Sequence, residues 1–327
     1  MGRAFTVLVT SAGRRVELLA CLRRAVAGLG PTPRILACDL DPGWSAACHL
    51  ADAAFAAPPC GDPAYPAFLL DLCARERVRL LVPTIDPELR PLAEVRDHLR
   101  ALGTWPNLSG AATVAICRDK LATARALAAA GVPVPEMVLL VEAAAVDLPR
   151  PWILKPRDGS AGRGIRRVHG PEDIPPDLDP TRYVAQRQLR GPEYTTTLYV
   201  DRTGRLRGAV THRRVRVRGG EVEKGEVVDD PLFVRLAERV AAALPDPYGV
   251  LCFQTIVGED GPRVFEINAR FGGGFPLADR AGAPFARWLV QEALDRPLDP
   301  LAFTVRRGLR VIRYDCAIYP EPEAKPS

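Results

Sequence analysis

The sequence has no run of about 18 consecutive apolar residues, the length that a membrane-spanning helix needs. Its first apolar run, residues 5–9, is too short for the core of a signal peptide. The eight cysteines form no Cys-x-x-Cys pair, and Cys48 alone adjoins a histidine. Neither a disulfide scaffold nor a zinc site is therefore expected. We predict a cytoplasmic protein with reduced, mostly buried thiols and no membrane contact.

Two enzyme signatures are also missing. Gly-x-Ser-x-Gly, which presents a serine nucleophile, does not occur. Gly-x-Gly-x-x-Gly, which binds dinucleotides, is reduced to the single Gly13 in the first turn, and this disfavours an oxidoreductase. Lys and Arg (44) exceed Asp and Glu (39) by 5 charges. This excess is too small for a nucleic-acid coat but suits an anionic small molecule.

A chain of 327 residues is too long for one ordinary core, so two or three domains are expected. The first third alternates short apolar strands with helical periodicity, which predicts a parallel α/β sheet. The predicted strands are residues 6–9, 34–37 and 79–82, and the predicted helices are residues 16–29, 65–77 and 89–102. Ligands of such sheets bind at the carboxyl ends of the strands. Ser11, Arg14, Asp86 and Glu88 follow those ends and are candidate substrate residues, although ordinary polar loops would look the same.

The remainder predicts a mixed, largely antiparallel fold, with hairpin turns at residues 201–204 and 258–261. Between them lies a basic strand in which His212, Arg214, Arg216 and Arg218 would share one face by simple alternation. That face suits a substrate carboxylate or a phosphate. It also suits an exposed edge whose charges prevent strand pairing, and the sequence leaves both readings open.

The segment around residue 155 carries the first strong chemical signal. Lys155 ends a predicted strand, and a loop with Gly159, Ser160, Gly162 and Gly164 follows. Glycines let backbone N–H groups turn toward an anion, and the lysine adds a mobile positive charge. The order differs from the P-loop, in which the lysine follows the glycines. A phosphate-binding flap is predicted, and a flexible hairpin is the alternative.

The second signal lies near residue 266. Glu266, Asn268 and Arg270 alternate along a predicted strand and would share one face. A carboxylate and an amide oxygen suit a hard cation such as Mg²⁺, and Gln254 on the preceding strand could reach the same centre. Gly273 lies in a run of three glycines directly after this strand, where a ligand could approach the backbone closely. The alternative is a solvated polar strand face.

Together these segments resemble the ATP-grasp superfamily, in particular its carbamoyl-phosphate-synthase-large-subunit-like branch. The resemblance rests on Asp119-Lys120, the Leu-Lys-Pro strand with its glycine loop, residues 186–194, and Glu-Ile-Asn-Ala-Arg-Phe-Gly-Gly-Gly, in that order. It covers roughly residues 110–315. It implies a pre-ATP-grasp parallel α/β domain (1–112), a small α+β lobe with the glycine loop (113–185), a large α+β lobe with the metal and phosphate site (186–320), and a tail (321–327).

The resemblance also implies residue roles. ATP phosphates would be held by Lys120, Lys155 and the loop with Gly159, Ser160, Gly162 and Gly164. Adenine and ribose would be contacted by Gln186, Arg187, Leu189 and Glu193. Magnesium, as one ion or two, or manganese in its place, would be bound by Gln254, Glu266 and Asn268. Arg270 would stabilise the transferring phosphoryl group, with Lys155 and Arg214 assisting.

The implied reaction is ATP-dependent ligation of a small carboxylate to an amine through an acyl phosphate, with release of ADP and phosphate. Two alternatives remain open at this point: a kinase that phosphorylates a small acid without ligation, and a nucleotide-binding regulatory protein without turnover. The expected partners are small molecules. The oligomeric state is open, with a homodimer as one option.

Overall fold

Strand β1 (Phe5–Thr10) is buried along its whole length and lies at the centre of a parallel sheet. It belongs to a computed structural model that describes residues 4–143, 145–159, 162–300 and 302–321. The sheet has the order β3-β2-β1-β4-β5. The other strands are β2 (Pro33–Asp39), β3 (Ala53–Ala56), β4 (Leu80–Pro83) and β5 (Trp105–Pro106). The parallel α/β domain predicted from the alternating pattern is confirmed.

Five helices connect these strands: α1 (Val16–Ala27), α2 (Ala46–Leu50), α3 (Tyr65–Glu76), α4 (Leu89–Glu94) and α5 (Arg96–Ala101). The prediction of one helix over residues 89–102 was wrong. Val95 leaves the helical conformation, with φ −110° and ψ 11°, and divides the segment into α4 and α5. The apolar periodicity continues across this break, so it gave no sign of it.

A small antiparallel sheet follows, with the order β6-β9-β7-β8. Its strands are β6 (Met137–Leu139), β7 (Trp152–Pro156), β8 (Arg166–Val168) and β9 (Tyr183–Arg187). It has its own apolar cluster, which includes Trp152, Leu154 and Ala185. The glycine loop connects β7 to β8, as the sequence predicted for residues 159–164.

The largest sheet has six strands in the order β14-β13-β10-β11-β12-β15. They are β10 (Glu193–Val200), β11 (Leu206–Arg218), β12 (Glu221–Val228), β13 (Gly249–Gly258), β14 (Gly261–Asn268) and β15 (Arg310–Ile312). Helices α8 (Pro231–Ala243), α9 (Phe275–Arg280) and α10 (Phe285–Ala293) accompany it. The predicted fold class, a parallel domain followed by two mixed lobes, is confirmed; the domain bounds at residues 112, 185 and 320 stay predictions.

Helices α6 (Ala111–Arg118) and α7 (Lys120–Ala129) join the first sheet to the rest and contact β14. Asp119 ends α6 and caps α7, because its carboxylate accepts hydrogen bonds from Leu121 N and Ala122 N. Arg157 forms an ion pair with the same carboxylate. This contact attaches the start of the glycine loop to the start of α7.

Two apolar clusters contain residues of both the parallel sheet and the large sheet. One includes Phe5, Val7 and Tyr199, and the other includes Leu8, Leu36 and Phe253. Because alternate residues of β1 enter different clusters, the strand is covered on both faces, as parallel strands usually are. The two sheets are therefore held together by shared apolar packing.

All eight cysteines are free, and five of them are buried. The prediction of mostly buried thiols is confirmed. Within the described part of the chain, no helix combines the length and the apolar character that crossing a bilayer requires.

Glu88 has a structural role and does not face a ligand. Its side chain is fully buried and accepts hydrogen bonds from Tyr65 Oη (2.6 Å), Ser11 Oγ (3.0 Å), and the backbone N–H groups of Thr84 (2.6 Å) and Ile85 (2.9 Å). The prediction that Glu88 and Ser11 contact substrate is not supported, since their polar atoms are engaged with each other. They fix the loops after β1 and β4.

We expect Glu88→Gln to destabilise the protein by about 1–3 kcal/mol, because an amide can accept fewer hydrogen bonds and brings two donors into a site of donors. Urea unfolding measures the change. Glu94→Gln is the matched control, since Glu94 is largely exposed and lies 3.9 Å from Arg90. Equal stability of the two variants would contradict the role given to Glu88.

Candidate functional site

A cleft of about 400 Å³ lies where the three sheets meet. It is lined by the loops after β1 and β4, by α7, by β7 and the glycine loop, by the β11–β12 hairpin, and by β10, β13 and β14. The charged residues in its wall are Arg15, Asp86, Lys120, Lys155, Arg163, Glu193, Arg214, Glu221, Glu266 and Arg270. The motifs that the sequence singled out therefore converge on one cavity.

Two lysines lie side by side at one end, which we call the lysine end. Lys155, on β7, is 8% exposed; its Nζ donates to Gln186 Oε1 (2.9 Å) and lies 4.9 Å from the centre of the Phe265 ring. Lys120, at the start of α7, donates from Nζ to the carbonyl oxygens of Pro156 (3.0 Å) and Gly159 (2.6 Å). Neither ammonium group has a carboxylate within ion-pair distance among the described residues.

Burial raises the free energy of the charged form of both lysines. It lowers the pKa of Lys155 to about 8, and Lys120 acts in the same direction, while Glu266 opposes the shift. Burial also lowers the pKa of Lys120. An anion placed between the two ammonium groups would supply the missing negative charge, and a phosphate chain fits this requirement.

Glu266, Gln254 and Asn268 form the predicted oxygen-donor group. Strands β13 and β14 pair Gln254 with Glu266 and Cys252 with Asn268, so the hairpin brings the three side chains to neighbouring positions. In the amide orientation that satisfies both neighbours, Gln254 donates to Glu266 Oε2 (3.0 Å) and accepts from Arg214 Nη1 (2.8 Å). Burial raises the pKa of Glu266, although Lys120, Lys155 and Arg270 act against the shift.

The donor set suits a hard divalent cation. One carboxylate and two amide oxygens are ligands that Mg²⁺ accepts when phosphate oxygens and water complete its shell. Within the described ranges no group of three or more His, Cys, Asp or Glu residues could hold a metal. An ion at this place would therefore depend on Glu266, on the amides and on a bound phosphate.

Arg270 connects the parallel domain to the large sheet. Its Nη2 donates to Asp86 Oδ2 (2.6 Å) and to Asn268 Oδ1 (3.0 Å), and its Nη1 donates to the carbonyl oxygen of Phe271 (3.0 Å). Its Nε is buried and has no partner among the described residues. Asp86, a predicted substrate residue, thus lines the cleft while also orienting Arg270.

Arg214 is the one arginine of the basic strand that lines the cleft, where it pairs with Glu193 and donates to Gly220 O (2.7 Å). The prediction that four alternate residues share one face was wrong. The β11–β12 register shifts around Arg216, so Val217 lines the cleft instead. Arg216 and Arg218 are exposed and pair with Glu223, and His212 is buried.

The glycine loop is partly within the described residues. Gly159 and Gly162 line the cleft, and Gly162 and Gly164 have φ values of +70° and +74°, which favour glycine. Ser160 was predicted to contact phosphate and lies outside the described residues. Gly164 does not line the cleft, and its Cα faces Pro156 and Tyr183.

Other candidates lie beside the cleft rather than in its wall. Gln186 is buried and contacts it through Lys155, Arg187 pairs with Glu136 and Asp260, and Leu189 is half-buried in the same segment. Arg14 is exposed outside the cleft. Gly273 lies directly under Glu221, because a Cβ on it would be 2.1 Å from Glu221 Oε2.

Arg15, Arg163 and Glu221 are the charged cleft residues that the sequence analysis did not select. Arg15, next to the predicted Arg14, reaches across the cleft and pairs with Glu221 at 2.7 Å. Glu221 follows the turn Gly219-Gly220, whose φ values are both positive. A Gly-Gly pair is typical of a hairpin turn, but nothing local in the sequence connects this turn to residue 15.

Comparisons with known proteins agree with this geometry. Residues 7–108 match the family model described as the PylC-like N-terminal domain, and residues 117–274 match the model of the ATP-grasp domain. No curated protein sequence matches the chain significantly. The two family models meet near residue 110, where α6 begins.

Solved structures with the same fold include several enzymes. Biotin carboxylase from Campylobacter jejuni has a TM-score of 0.70 at 17% identity, over 92% of this chain and 73% of its own. N5-carboxyaminoimidazole synthetase from Staphylococcus aureus, solved with ADP, has a TM-score of 0.71 at 14% identity, over 93% of this chain and 81% of its own. L-amino acid ligase from Bacillus licheniformis has a TM-score of 0.68 at 18% identity, over 90% of this chain and 75% of its own. At these identities the likeness establishes the fold.

From the lowered pKa of Lys155 we predict how the free energy of unfolding depends on pH. Between about pH 8 and its ordinary pKa of 10.5, the unfolded chain keeps the proton that the folded chain has lost. The charged lysine therefore destabilises the fold below pH 8, and this effect disappears as the pH rises. We expect wild type to gain on the order of 2 kcal/mol relative to Lys155→Met between pH 7 and pH 10.

Urea unfolding at several pH values measures this difference. Lys224→Met is the control, because Lys224 is exposed on β12. A difference between wild type and Lys155→Met that stays constant with pH would show that burial does not disfavour the charged form of Lys155.

Proposed function

We propose that this chain, which belongs to the ATP-grasp superfamily, binds Mg·ATP in the cleft and ligates a small carboxylate to an amine through an acyl phosphate. The observation that carries the proposal is the arrangement of Lys120, Lys155, Glu266 and Arg270 around one cavity. ADP and phosphate would be the other products.

The lysine end is where the phosphates of ATP would lie. Lys120 and Lys155 supply charge, and the loop around Gly159 and Gly162 supplies backbone N–H groups and a flap. Closure of such a flap keeps water from an acyl phosphate, which hydrolyses readily. The segment of Gln186, Arg187 and Leu189, together with Glu193, would contact adenine and ribose.

Glu266, Asn268 and Gln254 would hold magnesium against those phosphates, as one ion or two, with Mn²⁺ as a substitute. Bound there, the ion supplies positive charge to the phosphate oxygens. Gln254 and Asn268 would first have to release Arg214 and Arg270, which donate hydrogen bonds to their amide oxygens.

Arg270 is suited to the phosphoryl transfer itself. It lies between Glu266 and Asp86, and its buried Nε is free among the described residues. A substrate carboxylate oxygen would attack the γ-phosphorus, and the bond to the β-γ bridging oxygen would break. An amine would then displace phosphate at the acyl carbon. Positioning and charge stabilisation account for most catalysis of this kind.

Trapping the intermediate tests the proposal without knowledge of the amine. Purified protein with Mg·ATP, hydroxylamine and a panel of small carboxylates should form a hydroxamate with one acid class and release ADP. With that acid labelled with oxygen-18, one label should appear in the released phosphate.

Each alternative function predicts a different result. An acid kinase would form the hydroxamate but no amide with any amine of a second panel. A regulatory protein would bind nucleotide and release no ADP with any acid. The cytoplasmic location and a homodimer stay predictions, and sedimentation of the purified protein would settle the latter.

We expect Arg270→Gln to lower substrate-dependent ADP release by about 10²- to 10³-fold, because one preorganised charge at the transferring phosphoryl group is lost. Arg270→Lys should recover part of the activity. Arg263→Gln on β14, the strand that precedes Arg270, is the control, since Arg263 donates hydrogen bonds to the carbonyl oxygens of Asp260 and Pro262. A folded Arg270→Gln protein with normal turnover would refute the assignment.

We expect Glu266→Gln to raise the Mg²⁺ concentration needed for half-maximal nucleotide binding by at least tenfold, because the charged oxygen donor is lost. Titration of Mg²⁺ at fixed ATP analogue measures it. Glu259→Gln in the β13–β14 turn is the control. An unchanged Mg²⁺ requirement would place the ion elsewhere.

A further inference from the structure

Three residues far apart in the sequence form a charged cluster at the opposite end of the cleft, which we call the arginine end. Glu221 Oε1 accepts from Arg15 Nη1 at 2.7 Å, and Glu221 Oε2 accepts from Arg313 Nη1 at 2.9 Å. Arg15 comes from the loop after β1, Glu221 from the start of β12, and Arg313 from the residue after β15. The parallel domain and the large sheet therefore build this end together.

The lysine end and the arginine end differ in the charged residues that surround their ionisable groups. The carboxylates whose charges act on the pKa values of Lys120 and Lys155 include Glu266, Glu193 and Asp86. Glu221 is influenced by three arginines, Arg15, Arg313 and Arg270. Arg270 acts on both Glu266 and Glu221, so it lies between the ends. A substrate that meets the phosphates at Arg270 would extend toward the arginine end.

Of the four carboxylates that line the cleft, Glu221 is the one available to a substrate at that end. Asp86 is bound to Arg270 and is 11% exposed, and Glu193 and Glu266 lie near Lys155. Glu221 keeps 29% of its side chain exposed although it bridges two arginines. A bridging carboxylate has further lone pairs, which here can accept from a ligand donor.

Glu221 also stays ionised. Burial acts to raise its pKa, but Arg15 and Arg313 outweigh burial and hold the pKa of Glu221 below its ordinary range. A simple anion would therefore meet a fixed negative charge beside arginines that are already neutralised. A ligand with both signs of charge could bind Glu221 with its cation and Arg15 with its anion.

We propose that the Arg15–Glu221–Arg313 cluster selects an amphoteric substrate, one that carries an ammonium group and a carboxylate close together, as an α-amino acid does. Glu221 accepts hydrogen bonds from the ammonium group, and Arg15 donates to the carboxylate. Arg313 is a positioning residue: it holds Glu221 and donates to the carbonyl oxygen of Gly273. The proposal rests on the proposed function for the place of the nucleotide.

The test compares matched ligands by calorimetry and thermal shift in the presence of Mg²⁺ and a non-hydrolysable ATP analogue. Each α-amino acid is tested beside the carboxylic acid that lacks its amino group and the amine that lacks its carboxylate. We expect at least one amino acid to bind at least tenfold more tightly than both of its analogues.

Substitution then assigns the charges. Glu221→Gln should lower the affinity for the amino acid by about tenfold or more and leave the affinity for the carboxylic acid unchanged. Arg15→Gln should lower both affinities. Glu223→Gln is the matched control on the same strand, since Glu223 pairs with Arg216 and Arg218 outside the cleft. The ATP analogue should stabilise every variant equally, which verifies folding and the lysine end.

Three results would overturn the proposal. The first is that carboxylic acids bind as tightly as amino acids, and the second is that they bind more tightly to Glu221→Gln than to wild type; in both cases Glu221 merely occupies an anion site. The third is that the ATP analogue binds but no amino acid does. Failure of the ATP analogue itself would instead refute the proposed function, so the two failures are distinguishable.

Discussion

The cleft contains more positive charge than its own carboxylates balance. Among the lining residues in the described chain there are six Arg or Lys side chains and four Asp or Glu side chains. The imbalance is largest at Lys120 and Lys155, whose ammonium groups bind carbonyl and amide oxygens. Such an arrangement is unfavourable in an empty site and favourable once a polyanion enters, so the site is organised for its ligand rather than for stability.

The rest of the fold holds these charges in place. Asp119 caps α7 and pairs with Arg157, which fixes Lys120 against the glycine loop. Glu88 fixes the loop that carries Asp86, and Asp86 orients Arg270. Because two apolar clusters run through both the parallel and the large sheet, these contacts lie on a rigid support. The small sheet with Lys155 has an apolar cluster of its own.

The sequence predicted the parts of the site that depend on local spacing. Glu266 and Asn268 were found because strand alternation places them together, and Gln254 because a short hairpin pairs it with Glu266. Arg270 lies beyond the end of β14 at Asn268, and it joins the site by donating a hydrogen bond to Asn268 Oδ1. Alternation failed on β11, because the irregular pairing at Arg216 turns the strand and cannot be recognised from residue types. Glu88 looked like a ligand residue, since a buried acid with four hydrogen-bond donors has the same local sequence as an exposed one. Val95 interrupts its helix without a proline or glycine to mark the break.

Arg15 shows why the remainder needed the structure. Residues 14 and 15 are both arginines after the same strand, but Arg15 lines the cleft and Arg14 is exposed outside it. The partner of Arg15 is more than 200 positions away, and Arg313 is farther still. Contacts of this kind depend on the packing of three sheets, which has no local signature. The parallel domain is thereby more than a support: through Asp86 and Arg15 it supplies one wall of the cleft, and Arg313, far along the chain, pairs with the same Glu221 as Arg15 does.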